Sequence, residues 1–233
     1  AGIQSGDRVI DFATGLGDTA AACARLVGPT GQVLATDGAE AMLEFARGYM
    51  TELELPNVSF AKVNFNDIAV EDAGFDAGIC RWGLMFAEDL VATLSALRGL
   101  LRPGGCFAAI VWGPPEQAEV QTLTNTVLME SLGLPPVPTG KGTPFALSDR
   151  DALEQEFARA GFTNVESQTV SVVYDFKSAE EYVQYRRDRS SLDKNIAHCP
   201  EADREEAWEA VTAAARKRAR PDRSVRFVSE TII

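Results

Sequence analysis

The chain has 233 residues, of which 45% are hydrophobic, and it carries a net charge of −12. This length and composition predict one α/β domain with a full hydrophobic core. So acidic a chain is a poor general binder of nucleic acid, whose phosphates need a basic surface. Its apolar segments are short and interrupted by charges, which argues against a membrane span. We therefore expect a small, neutral or hydrophobic substrate.

The cysteine usage is typical of a reducing cytoplasm, where we expect the protein to act. The four cysteines are far apart, no C-x-x-C pair occurs, and there is a single histidine, so we predict no metal site. Cys80 and Cys106 lie inside apolar runs, and we expect both in the core. No signal peptide is recognisable. The first residue is Ala rather than Met, which predicts that the natural N-terminus is missing.

Strand and helix patterns alternate through the first half of the chain. Apolar runs predict five strands, over residues 8–13, 31–37, 57–65, 75–82 and 106–112. Apolar residues at helical spacing predict helices over residues 18–27, 40–50 and 90–101. The segment "RPGG" at 102–105 predicts a turn into the fifth strand. Repeated units of this kind indicate a parallel, doubly wound sheet.

The second half of the chain is less regular. A helix ends near residue 133, a loop covers 133–144, and Ser148 is the predicted N-cap of a helix that runs to residue 160. Alternation predicts strands over 165–176 and 224–233, with polar helices over 179–189 and 201–218 between them. We expect these two strands to form an antiparallel hairpin at the edge of the sheet.

The segment "VIDFATGLGDTAAACA" at residues 9–24 predicts a strand, a glycine-rich turn and a helix, which is the order of a nucleotide pocket. Gly15, Gly17 and Ala20 fit the G-x-G-x-x-G/A spacing, which alone is weak evidence. Ligands bind at the carboxyl ends of parallel strands, where the strand order reverses. Asp37, at the end of the second strand, is placed there to accept hydrogen bonds from two ribose hydroxyls. NAD and S-adenosylmethionine both satisfy this pattern.

Asp11 separates these two ligands. It lies in the first strand just ahead of the turn, where its carboxylate would repel a pyrophosphate. A carboxylate can instead serve a cationic ligand, and S-adenosylmethionine carries an ammonium and a sulfonium but no phosphate. The pattern therefore favours S-adenosylmethionine over a dinucleotide.

Four segments in the right order are more specific than the glycine turn. They are "VIDFATGLG", "VLATD", "FDAGICRWGLMF" and "LRGLLRPGGCFAAIVW". With them the chain resembles the class I S-adenosylmethionine-dependent methyltransferases, in the small-molecule branch related to ubiquinone and menaquinone biosynthesis. The resemblance covers residues 8 to about 112 and continues more weakly through "GTPFALSD" and "GFTNVES". It implies a Rossmann-like, mostly parallel, seven-stranded sheet with an antiparallel C-terminal hairpin and helical lid insertions.

The resemblance also implies roles for residues at the methionine and ribose ends of the cofactor. Asp11 would hold the methionine end through water, Arg81 would line it, and Asp37 would bind the ribose. Four loop residues would contribute their backbone or their small size: Ala13, Thr14, Gly15 and Gly17. Ala13 stands where the family has its first glycine.

At the adenine end, the resemblance implies that Asn64 bonds the amino group and that Phe65 lies beside the ring. Asn64 replaces the commoner Asp, but its amide oxygen can still accept a hydrogen bond. Gly38 replaces the usual bulky residue after the ribose-binding acid. We expect Met42 to supply that apolar contact instead.

The substrate side is less specified. Trp82 and Phe86 would face the substrate, and Trp112 is a candidate for an apolar pocket wall, although core packing explains Trp112 as well. His198 is the candidate general base, and an exposed loop histidine is the simpler interpretation. We expect one domain over residues 1–233, with a cofactor half at 1–112, a substrate half at 113–233 and lid segments at about 117–144 and 176–220.

These features predict methyl transfer to the oxygen or carbon of a small, largely apolar molecule, such as a quinone-like ring or a secondary metabolite. S-adenosylhomocysteine would be the second product, and either a monomer or a homodimer is compatible. A first alternative is a protein of this fold that binds the cofactor but catalyses another reaction, such as a cyclisation. A second is an NAD(P)-linked oxidoreductase, which Asp11 and the lack of a Tyr-x-x-x-Lys motif disfavour.

Overall fold

A computed structural model describes residues 1–70, 72–190 and 192–233. It confirms the expected α/β fold, with a mixed sheet flanked by helices. The hydrogen-bonded strand order is β3-β2-β1-β4-β5-β7-β6, mostly parallel with antiparallel C-terminal strands. The strands are β1 (Arg8–Phe12), β2 (Gln32–Asp37), β3 (Val58–Lys62), β4 (Phe75–Arg81), β5 (Leu101–Trp112), β6 (Thr169–Phe176) and β7 (Val225–Ile232).

Most helices begin where the sequence patterns place them, although the four-residue helix at Leu192–Asn195 was not predicted. The helices are α1 (Asp18–Val27), α2 (Glu40–Glu52), α3 (Leu90–Leu100), α4 (Glu119–Ser131), α5 (Arg150–Arg159), α6 (Ala179–Arg189), α7 (Leu192–Asn195) and α8 (Glu201–Arg216). None of the described helices combines the length and the apolar character that crossing a bilayer requires. The predicted cap of α5 is wrong by one residue, because Asp149 rather than Ser148 accepts from the Ala152 N–H, at 3.0 Å.

The start of β5 differs from the prediction. Leu101 already lies opposite Phe75, and the register then shifts so that Cys106 lies opposite Ala77. The "RPGG" residues form this irregularity within the strand, and Gly104 has a φ of 78°. Cys106 is exposed rather than in the core, unlike the buried Cys80. An apolar run in the sequence does not distinguish the covered part of a strand from its uncovered start.

Contacts divide the described residues into two compact units. Unit 1 comprises Ala1–Val111, Lys141–Gln168 and Ile232–Ile233, and unit 2 comprises Trp112–Gly140 and Thr169–Thr231. In unit 1, small and branched side chains of α1 pack on β1 and β2, which lets the helix lie close to the sheet. The members of this cluster are Val9, Ala20, Cys23, Ala24, Val27, Val33, Ala35 and Ala77.

The interior of unit 2 is built on aromatic side chains. The rings of Tyr182 and Phe227 lie 4.4 Å apart, and Phe176 packs against Tyr182 at 5.4 Å. Trp208 of α8 is 2% exposed, and its indole N–H donates to Asp193 Oδ1 at 2.8 Å. The buried indole N–H is thus satisfied, as is usual for a buried tryptophan.

Candidate functional site

The turn after β1 surrounds a buried carboxylate. Asp11 is 1% exposed, and its Oδ2 accepts from the Thr14 hydroxyl at 2.7 Å. Its Oδ1 has no hydrogen-bond partner among the described residues. A buried carboxylate oxygen without a donor is costly, so this atom has an unused capacity to bind a donor or a cation.

Burial raises the pKa of Asp11 from 3.8 to about 7. The hydrogen bond from Thr14, the positive charge of Arg81 and the backbone N–H of Ala20 act in the opposite direction. Desolvation is therefore the dominant cause, and it penalises the charged form. A cation placed beside Asp11 would favour the carboxylate and bring this pKa down.

Asp37 at the end of β2 is tied to the same turn. Its Oδ2 accepts from the Gly15 N–H at 3.0 Å, and its Oδ1 accepts from the Ala39 N–H at 2.9 Å. The Thr14 N–H also donates to the Thr36 carbonyl, at 2.8 Å. These bonds fix the turn after β1 against the end of the neighbouring parallel strand, at the edge where ligands bind in such sheets.

The two glycines of the turn have different roles. Gly15 has a φ of 56°, and a Cβ added there would meet nothing within 4 Å, so it lies beside open space. Gly17 has a φ of 92°, and an added Cβ would come within 2.9 Å of Met50 Cε and 3.2 Å of Ala46 Cβ. Gly15 therefore leaves room for a ligand, whereas Gly17 allows α2 to pack closely.

Gly83, after β4, is a residue that the sequence reasoning missed. A Cβ at this position would come within 2.5 Å of Ala13 Cβ, 2.8 Å of Cys80 Sγ and 3.2 Å of Phe65 Cζ. Ala13 itself has a φ of 53°. Only glycine fits this close approach. In the sequence, the one indication of it is that Gly83 is the single small residue in "RWGLMF".

Arg81 lies at the end of β4. Its Nη2 lies 3.3 Å from the Oδ2 of Asp18, in the first turn of α1, and its guanidinium lies 5.1 Å from the Trp82 ring centroid. Trp82 has a φ of 58°, and its N–H donates to the Ile110 carbonyl at 2.7 Å. Arg81 and Asp11 thus interact electrostatically around the same turn.

The residues expected to contact the adenine come after the carboxyl ends of β2 and β3 in the chain. Asn64 is exposed, and its Oδ1 already accepts from the Asn66 N–H at 3.0 Å. A carbonyl oxygen has a second lone pair, so this bond leaves it able to accept once more. Phe65 is half-buried, Gly38 is exposed, and Met42 of α2 is 41% exposed.

The residues expected to face the substrate fall in both units. In unit 1, Phe86 belongs to a short 3-10 turn over Leu84–Phe86 and is 53% exposed. In unit 2, Trp112 is 4% exposed and stacks on Tyr174 with ring centroids 6.4 Å apart. His198 of unit 2 is exposed, between α7 and α8.

The carboxylates of Asp11 and Asp37 fit a molecule that has a cation at one end and hydroxyls at the other. Asp11 Oδ1 is the unused acceptor for the cation, Asp37 at the end of β2 is bonded to the Gly15 N–H of the turn, and Gly15 leaves open space there. S-adenosylmethionine has this distribution of groups. Within the described residues, no group of three His, Cys, Asp or Glu side chains could hold a metal ion.

Comparisons with known proteins agree with this chemistry. Residues 3–132, more than half of the chain, match a family model described as a methyltransferase domain. A 2-phytyl-1,4-naphtoquinone methyltransferase of Trichormus variabilis is 30% identical over 67% of this chain and 64% of its own length. A ubiquinone/menaquinone biosynthesis C-methyltransferase, UbiE, of Teredinibacter turnerae is 34% identical over 50% of this chain and 47% of its own.

A solved structure supports the fold. A protein of Bacillus halodurans described as a candidate methyltransferase is 19% identical, with a TM-score of 0.62 over 100% of this chain and 92% of its own. The chain spans about half to two thirds of the curated relatives that it matches.

Proposed function

We propose that this chain, which belongs to the methyltransferase-domain family and uses S-adenosylmethionine, methylates oxygen or carbon in a small, largely apolar molecule. A quinone-like ring or a related secondary metabolite is the proposed acceptor. The two relatives with this chemistry act, by their names, on a naphthoquinone and in ubiquinone and menaquinone biosynthesis.

The observation that carries the site assignment is the unpartnered Oδ1 of the buried Asp11. A phosphate placed beside a buried carboxylate would be repelled, whereas an ammonium would be attracted. We assign the amino-acid end of the cofactor to Asp11, Arg81 and the turn backbone, and the ribose to Asp37. We assign the adenine to Asn64, Phe65 and Met42.

Bound S-adenosylmethionine supplies a methyl carbon that its sulfonium already activates toward displacement. The task of the protein is then to align the acceptor behind that carbon and to exclude water. Alignment can lower such a barrier by roughly 7–11 kcal/mol. We assign the apolar surfaces for this task to Trp82, Phe86 and Trp112. We assign cofactor binding to the half of the chain at 1–112 and substrate binding to the half at 113–233.

A general base is needed only when the acceptor is a weak nucleophile, such as a hydroxyl or an acidic carbon. His198 is the candidate for this role. Exchanging His198 for Asn tests it: a fall in rate of roughly a hundredfold at neutral pH supports a base, and an unchanged rate removes His198 from the mechanism.

The proposal is tested by product analysis. The protein is incubated with S-adenosylmethionine and a panel of phenols, quinols and thiols, and products are identified by mass spectrometry. A methylated acceptor with an equal amount of S-adenosylhomocysteine supports methyl transfer. An acceptor converted to an isomer of unchanged mass supports the cyclisation alternative. Binding of NADH, with no response to S-adenosylhomocysteine in a melting assay, supports the oxidoreductase alternative.

A further inference from the structure

Arg186 of α6 is a buried arginine with too few partners. It is 2% exposed, and its Nη2 donates to the Asn125 Oδ1 at 3.3 Å, while its Nε has no hydrogen-bond partner among the described residues. A guanidinium has five N–H donors and remains protonated in proteins. One long bond to a neutral amide leaves its charge uncompensated.

Several other arginines of unit 2 are paired although they are more exposed. Arg187 lies 2.5 Å from Glu205, Arg216 lies 2.5 Å from Glu180, and Arg226 lies 2.6 Å from Asp175. Arg186 has no carboxylate within ion-pair distance in the part of the chain that the structure describes. A buried charge needs a partner far more than an exposed one, so the missing anion matters at a side chain that is only 2% exposed.

The surroundings of Arg186 offer tyrosines rather than an anion. Burial lowers the pKa of Arg186, and the opposing influences come from Tyr182, Tyr185 and Tyr174. Tyr182, one turn earlier on α6, is already satisfied: its hydroxyl donates to the Val120 carbonyl at 3.0 Å and accepts from Thr124 at 2.6 Å. The local hydrogen bonding is thus complete around Tyr182 and incomplete at Arg186.

Aromatic side chains flank the arginine. The rings of Tyr174 and Tyr185 lie 6.2 Å apart, and Trp112 stacks on Tyr174. Tyr174, Tyr185 and Asn125 are each half-buried, so this cluster keeps some contact with solvent. Flat apolar surfaces beside a cation are suited to an aromatic molecule that carries a negative charge.

We propose that Arg186 binds the anionic oxygen of an aromatic molecule, either a carboxylate or an ionised phenol, and that Asn125 holds the guanidinium in position. A planar guanidinium can bind a carboxylate through two parallel hydrogen bonds, or a phenolate oxygen through one.

Binding of matched anionic and neutral aromatic molecules tests this inference. Calorimetry with the protein saturated in S-adenosylhomocysteine would compare 2-naphthoate with 2-naphthamide, and ionised 4-nitrophenol with nitrobenzene. We expect the anion of at least one pair to bind the wild type about tenfold more tightly than its neutral partner. The first pair tests a carboxylate, and the second tests a phenolate. Equal binding within both pairs would overturn the inference.

Two variants locate the effect. Arg186→Met should abolish the preference for the anion, and Arg186→Lys, which keeps the charge but lacks the planar fork, should retain part of it. Arg216→Met, which removes an exposed and paired arginine, is the control and should leave the preference intact. A preference that survives in Arg186→Met would overturn the inference.

A melting assay separates anion binding from a structural role. Without an added anion, Arg186→Met should melt no lower than the wild type, because an uncompensated buried charge is lost. A lower melting temperature would identify Arg186 as a structural residue and count against the inference. The titration of the wild type with S-adenosylhomocysteine tests the proposed function by itself, so the two can fail separately.

Discussion

The Gly15 N–H donates to the Asp37 carboxylate at 3.0 Å, which joins the turn after β1 to the end of β2. Asp37 Oδ1 is held in turn by the Ala39 N–H. The carboxylate that we assign to the ribose is therefore positioned by two backbone donors before any ligand binds. Preorganisation of this kind lowers the ordering cost of binding.

Replacement of Asp37 should weaken cofactor binding. We expect Asp37→Ala to raise the Kd for S-adenosylhomocysteine by roughly tenfold to a hundredfold, because charged acceptors for hydroxyl groups are lost. Asp37→Asn, which keeps one acceptor oxygen, should lie between Asp37→Ala and the wild type. Calorimetry measures the change, and Glu209→Gln, a surface residue of α8, removes the same charge as a control. An unchanged affinity in Asp37→Ala would refute the ribose assignment.

Gly83→Ala should destabilise the protein and weaken cofactor binding together. The added Cβ would lie 2.5 Å from Ala13 Cβ, so the turn after β1 must shift, at a cost of about 1–3 kcal/mol. Gly99→Ala, in helix α3 with nothing within 4 Å of its Cβ, should instead stabilise by about 0.5–1 kcal/mol. Denaturant unfolding measures the stability change of each variant, and calorimetry with S-adenosylhomocysteine measures the loss of cofactor binding.

A second substitution checks the cause of this effect. Ala13→Gly should recover part of the stability lost in Gly83→Ala, since it removes the nearest clashing atom. Recovery would be partial because Cys80 Sγ would still lie 2.8 Å from the new Cβ. No recovery would mean that the Ala13 contact is not the source of the clash.

The raised pKa of Asp11 predicts how stability depends on pH. The folded state holds the Asp11 proton up to about pH 7, whereas the unfolded chain releases it near its ordinary value of 3.8. The contribution of Asp11 to the free energy of unfolding therefore falls as pH rises between these values and is constant above them. Carboxylates with lowered pKa, such as Asp76, act in the opposite sense at lower pH.

The comparison with Asp11→Asn isolates this contribution. We expect the melting temperature of the variant, relative to the wild type, to rise from pH 4 to pH 7 in the absence of ligand. Affinity of the wild type for S-adenosylhomocysteine should also increase over the upper part of this range, because the ammonium prefers the ionised carboxylate. A difference in melting that does not change with pH would show that Asp11 has no raised pKa.

Tyr182→Phe should destabilise unit 2 by about 1–3 kcal/mol. It removes the donor to the Val120 carbonyl and leaves the buried Thr124 hydroxyl without its acceptor. The double variant Tyr182→Phe, Thr124→Val should lose less stability than the sum of the losses in the two single variants, because no buried hydroxyl then remains without a partner. Full additivity, measured by denaturant unfolding, would contradict this coupling.

The sequence predicted those parts of the site that depend on position along a strand. Asp11 and Asp37 lie in or at the end of neighbouring parallel strands, so their place at the carboxyl edge follows from the fold. Gly83 was not predicted, because its role depends on the distance between two loops. The unmatched charge of Arg186 was not predicted either, because it depends on which side chains surround a helix that reads as polar throughout.

The most direct test of the central claim is calorimetric binding of S-adenosylhomocysteine and of NADH to the wild type and to Asp11→Asn. We expect the wild type to bind S-adenosylhomocysteine and not NADH, and Asp11→Asn to weaken the binding of S-adenosylhomocysteine. Tight binding of NADH together with no binding of S-adenosylhomocysteine would contradict this claim.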